Sequence, residues 1–108
     1  MKRKTIKGTK EGINKQINRI MNIPTEGKVL LDFYAEWCGP CRAMKNTLED
    51  FEKNSRIPLI KINVDEESTL AAQYGIRNIP CFIGLEDGKE TGRKVGMNSL
   101  PQLEELVK

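Results

Sequence analysis

The stretch "DFYAEWCGPCRAM", Asp32 to Met44, decides how the rest of the chain is read, because it holds two of the three cysteines with two residues between them. Thiols that close are a disulfide couple, part of a metal site, or two inert core residues. The flanking pattern locates them. Upstream, "KVLLDFY" is apolar on both faces, as an interior strand covered by helices should be. Downstream, Met44, Leu48 and Phe51 recur at helical spacing from Pro40, whose missing N–H does no harm in a first turn. Cys38 therefore sits just after a buried strand, at the mouth of a helix.

That position favours the thiolate, the reactive form of cysteine. A first helical turn presents unpaired N–H groups and the positive end of the helix dipole. An ordinary thiol is only ~3% ionised at neutral pH, and a drop of ~1.5 pKa units, about 2 kcal/mol, brings it to roughly half. The two sulfurs differ in this reading. Cys38 is expected at the exposed helix end, as the attacking thiol. Cys41 opens the apolar stripe and is expected to resolve the mixed disulfide, leaving Cys38–Cys41 oxidised.

Composition narrows the alternatives. The 108 residues include no histidine and three cysteines, too few for a disulfide-stapled scaffold. A structural zinc site wants four Cys or His ligands, and one chain supplies three sulfurs at most, the third being Cys81. Redox chemistry leads, with inert core thiols and a metal or cluster shared between chains behind it. The formal charge of +3 is spread along the chain apart from "MKRK", which argues against a nucleic-acid footprint. No apolar run is long enough to span a membrane, and none follows the basic N-terminus as in a signal peptide, so a cytosolic protein is expected. The glycines form neither a GxGxxG nor a P-loop pattern, so no nucleotide is expected to bind directly.

The whole chain, 1–108, reads as a single domain with the order β-α-β-α-β-α-β-β-α: a mixed sheet with helices on both faces, an α/β fold. The first strand is expected near residues 4–8, and Ile13, Ile17, Ile20 and Met21 mark the first helix. "IPLIKINV" is a second interior strand, followed by a helix over Glu67–Tyr74 that Gly75 stops. "CFIGLE" and "KETGRKVG" pair as a hairpin through the turn Asp87–Gly88. Leu100, Leu103, Leu106 and Val107 form a closing helix capped by Ser99.

"WCGPC", with "DFYAE" before it and a strand-to-helix setting, resembles the active site of the thioredoxin family. "KINVDEESTLAAQYGIRNIP" and "KVGMNSLPQLEELV" extend the resemblance across nearly the whole chain. It implies the thioredoxin fold and a protein-disulfide reductase. Asp32, in a strand apolar on both faces, has few polar neighbours, so its carboxyl should keep a proton near neutrality. By resemblance it is the general base that takes the proton from Cys41, and Lys61 lies close enough to tune its charge. Unaided, Lys61 reads as a lysine reaching for solvent along its stem. The resemblance makes Ile79–Pro80 a cis peptide beside the disulfide, binding substrate backbone. It places Trp37, Ile79 and Gly96 around a shallow apolar substrate groove and makes Gly96 leave room for a partner. Gly39 and Pro40 bring no charge between the cysteines, which points to a reductant.

No bound cofactor is implied beyond the Cys38–Cys41 couple. Electrons are expected from NADPH through a thioredoxin reductase, the substrates are disulfide-containing proteins, and a monomer is expected. A glutaredoxin-like oxidoreductase is disfavoured by Trp37 and by Gly39–Pro40. A thioredoxin-fold binding or accessory module with incidental thiols is the alternative from another class. Three departures stand out. Cys81 follows Pro80 where the family usually has threonine, as a small buried residue or as an extra thiol that pairs or is modified. Asn46 occupies the place of the family's interior helix proline, which predicts a straighter helix. Tyr34 replaces a second tryptophan.

Overall fold

The computed structural model describes residues 23–108. The strand expected near 4–8 and the helix marked by Ile13 to Met21 lie outside the described residues.

"KVLLDFY" forms β1 (Lys28–Tyr34). It is flanked on one side by parallel β2 (Leu59–Asn63) and on the other by antiparallel β3 (Cys81–Glu86), so both edges are hydrogen-bonded. β4 (Lys89–Val95) closes the order β2-β1-β3-β4. This central placement is why β1 has no polar face. Alternate residues Val29, Leu31 and Phe33 pack with Ile62, Cys81 and Ile83, and with Leu70 and Ala71 of α3 (Ser68–Gln73). Leu30 turns to the other face, where it joins Phe82, Met44, Leu48, Phe51 and Leu103. That second layer is built by α2 (Lys45–Asn54), which follows the short α1 (Gly39–Ala43) after Met44, and by α4 (Leu100–Leu106).

The punctuation follows local chemistry. The N–H groups of Gly75 and Ile76 donate to Ala72 O and Ala71 O, both at 3.0 Å, a Schellman stop to α3 that needs the positive φ of Gly75. Asp87 and Gly88 both have positive φ, as a two-residue hairpin turn between strands of right-handed twist requires. Ser99 and Gln102 cap α4 reciprocally. At Gly84 the sheet and α4 touch so closely that a Cβ would collide with Leu106 O.

The helix after the cysteines is divided at Met44, whose N–H donates to Cys41 O at 3.1 Å, an i→i+3 step. Met44 is 1% exposed. Met44, Leu48 and Phe51 all pack with Leu30 and Phe82.

Candidate active site

Three segments distant in sequence meet where β1 ends. The first is the turn from Ala35 to Cys38, closed by Cys38 N–H donating to Ala35 O at 3.2 Å. Cys38 is the N-cap of α1, with Pro40 in the first turn, and the Cys41 N–H donates to Cys38 Sγ at 3.1 Å. The two cysteines form a disulfide, their Cα atoms 5.2 Å apart. Gly39 and Pro40 between them are exposed.

The second segment is the loop before β3. Its Ile79–Pro80 peptide is cis. Ile79 O lies 3.9 Å from Cys38 Sγ, and Pro80 O accepts the Gly96 N–H at 2.8 Å. Expected at an exposed helix end, Cys38 is instead only 4% exposed, less than Cys41 at 9%. The reason is long-range: Ile79, Val64 and Tyr34 close over Ala35 and the two cysteines. Exposure therefore does not distinguish the thiols. Their neighbours do. Cys38 faces the helix mouth and the proline loop, whereas Cys41 lines a cavity of about 290 Å³ together with Asp32 and Lys61.

The third segment is β2, which sets Lys61 beside Asp32 in the parallel register. Asp32 is 3% exposed, and its Oδ1 has no hydrogen-bond partner among the described residues. Burial pushes its carboxyl up to about 7, partly offset by the Lys61 cation. The carboxyl therefore keeps its proton up to near neutral pH, and it lines the same cavity as Cys41.

Trp37 is 66% exposed, and its indole N–H donates to Asp65 Oδ2 at 2.8 Å. Gly96 has φ +91°, and a Cβ there would meet nothing within 4 Å. Backbone conformation, rather than crowding within the chain, calls for glycine there, and the space in front of it is open. Exposed Val95 and Met97 flank it. Sequence reading missed those two, as well as Asp65 and the Arg42 guanidinium, which donates to Glu36 O at 2.8 Å and braces the turn. Asp65 lies 28 residues from Trp37, and nothing in the sequence pairs them. Tyr34 lines the cavity and hydrogen-bonds Asn63, its register partner on β2. Cys81 is a free, buried thiol on the opposite sheet face, packed among Phe33, Ile83 and Leu70, and burial pushes its pKa up.

A thioredoxin family model matches residues 4–108. The chain belongs to the thioredoxin family. It is 44% identical over 82 residues to a thioredoxin of Chlamydia caviae, covering 75% of this chain and 80% of that one. To a thioredoxin of Bacillus subtilis it is 41% identical over 85 residues, covering 77% and 82%. Among solved structures, a mutant thioredoxin from Halobacterium salinarum superposes with a TM-score of 0.75 at 32% identity, covering 82% of this chain and 79% of that chain. The mixed sheet with helices on both faces is thus the thioredoxin fold, and the chain is a thiol-disulfide oxidoreductase acting through Cys38–Cys41. Chemistry in this family runs through the disulfide itself, without a prosthetic group. No helix among the described residues is long and apolar enough to cross a membrane.

Proposed function

We propose that the chain, acting as one monomeric unit over residues 1–108, reduces disulfides of other proteins in the cytoplasm. The Cys38 thiolate attacks one sulfur of the substrate disulfide, forming a mixed disulfide and releasing the other sulfur as thiolate. Cys41 then loses its proton to Asp32 and attacks Cys38 Sγ. That step forms Cys38–Cys41 and releases the second substrate thiol. Two electrons pass to the substrate, and the protons end on its two thiols. Lys61 tunes the readiness of Asp32 to take the proton. Trp37, Gly39, Pro40, Ile79, Pro80 and Gly96 bound the surface on which substrate backbone rests. A thioredoxin reductase using NADPH returns the oxidised pair to the dithiol.

The observation that carries this reading is the asymmetry around the disulfide. Cys38 Sγ accepts an N–H at a helix mouth, while Cys41 shares a cavity with a buried, unpartnered carboxyl. A helix mouth favours thiolate on the attacking sulfur, and a carboxyl near pKa 7 suits a base acting at neutral pH. The test is the reduction potential of the pair, measured in a thiol–disulfide buffer with Cys81→Ser as background. A value well below the glutathione poise supports a reductant. A value near or above it points to a glutaredoxin-like or isomerase role.

A further inference from the structure

The cavity beside Cys41 has a charged rim, and of its cations the thiol chemistry uses only Lys61. Arg42 on α1, Lys45 on α2 and Lys61 on β2 all stand on it with exposed side chains. None of the three forms an ion pair among the described residues. Arg42 is anchored by its bond to Glu36 O, which uses one of five guanidinium N–H donors and leaves others for a ligand. Opposing them are one exposed carboxylate, Glu36, and the buried Asp32. The rim is therefore net positive. Across the disulfide the surface is different, with Trp37, Val95 and Met97 exposed.

A polypeptide joined to Cys38 through a mixed disulfide sits close to this rim, because Cys41, which lines the cavity, is the bonded neighbour of Cys38. The Cα atoms of Cys38 and Cys41 are 5.2 Å apart. Since extended chain advances roughly 3.3–3.6 Å per residue, a side chain within two or three residues of the substrate cysteine reaches the rim. We propose that this basic notch receives an acidic side chain adjacent to the reacting cysteine, so that the protein prefers disulfides lying in acidic segments. The inference deepens the reductase reading and rests on it. Rim charges act mainly on encounter and register. The preference therefore belongs in the second-order rate, and it fades as salt shortens the Debye length.

The experiment uses the full chain, pre-reduced, against a series of disulfide-linked peptides differing only in Glu, Gln or Lys beside the cysteine. Rates are read at about 20 mM and about 0.5 M salt. At low salt the Glu peptide is expected to react about fivefold faster than the Gln peptide, and the Lys peptide slower than either. High salt should collapse the series. Lys45→Glu removes two units of charge, leaves the rim close to neutral and should level the series, whereas Lys45→Arg should keep it. Equal Glu and Gln rates at low salt, or a ratio untouched by Lys45→Glu, overturn the inference. A Gln peptide that the pre-reduced chain cannot reduce at all overturns the reductase reading itself and the inference with it, a result distinct from a flat series.

Discussion

Cys38 and Cys41 are three residues apart, bonded to each other and almost equally buried, yet they face different chemistry. Cys38 looks towards the helix mouth and the Ile79–Pro80 loop; Cys41 lines a cavity that the buried Asp32 carboxyl also lines. The proposed division of labour therefore rests on the neighbours of each sulfur, not on exposure. The sharpest way to break that comparison is to remove each sulfur in turn. Cys38→Ser is expected to abolish turnover, a loss of more than about 10³-fold, because the nucleophile is gone. Cys41→Ser should also stop turnover, but with substrate trapped on Cys38, visible by mass spectrometry as a mixed disulfide. A trapped adduct on Cys41 in the Cys38→Ser protein would reverse the assignment.

In the proposed cycle Asp32 acts in only one half of the reaction. Asp32→Asn should slow resolution by on the order of 10²-fold while leaving the first attack nearly intact, since only Cys41 shares its cavity. Single-turnover kinetics with a disulfide substrate distinguishes the two steps; equal slowing of both would remove Asp32 from the Cys41 side. The same variant has a stability signature. Between the ordinary value of 3.8 and about 7, the unfolded chain has lost a proton that the folded chain keeps, so stability falls as pH rises through that window. Above about 7 the cost of the buried charge is complete, roughly 4 kcal/mol for a shift of this size. Asp32→Asn should accordingly stabilise the protein by a few kcal/mol at pH 8 and by almost nothing near pH 4, as read by denaturant unfolding. A gain independent of pH would mean that the carboxyl is not the cause.

Cys81 extends the comparison to a thiol with neither kind of neighbour. It packs in the core on the other sheet face, with its pKa raised by burial. In the reduced protein, iodoacetamide should label Cys38 and spare Cys81 until the chain unfolds. Cys81→Ser should cost about 1 kcal/mol, from a hydroxyl in an apolar site, and leave turnover within about twofold. Labelling of Cys81 in the folded protein would revive the idea of an extra redox thiol.

How much of this was legible in the sequence follows the range of the interactions. The bounds of β1, the Asp87–Gly88 turn, the Gly75 stop and the Ser99 cap rest on neighbours a few residues away, and the sequence reading located them. The raised pKa of Asp32 was also legible, because a strand apolar on both faces leaves a carboxyl nowhere to go. The division of the helix at Met44 was not, since no proline or glycine marks it. Nor was the burial of Cys38, which depends on a loop 41 residues away. The cis form of Pro80 was expected only through the family resemblance, because an isolated X–Pro bond is mostly trans.

Lys61 offers the smallest and most discriminating effect. It pairs with Asp32 in register, and its charge holds the Asp32 carboxyl below where burial alone would put it. The ammonium is exposed, so water and salt screen most of that influence. Lys61→Gln should raise the midpoint of the pH profile for resolution by less than about one unit at low salt. At neutral pH more of the base would then be protonated and idle, slowing resolution about two- to threefold. Lys61→Arg should restore the midpoint, and added salt should move the native protein towards the Lys61→Gln profile. A midpoint that ignores both the substitution and the salt would leave Asp32 governed by burial alone, with Lys61 serving only as a solvated edge of β2.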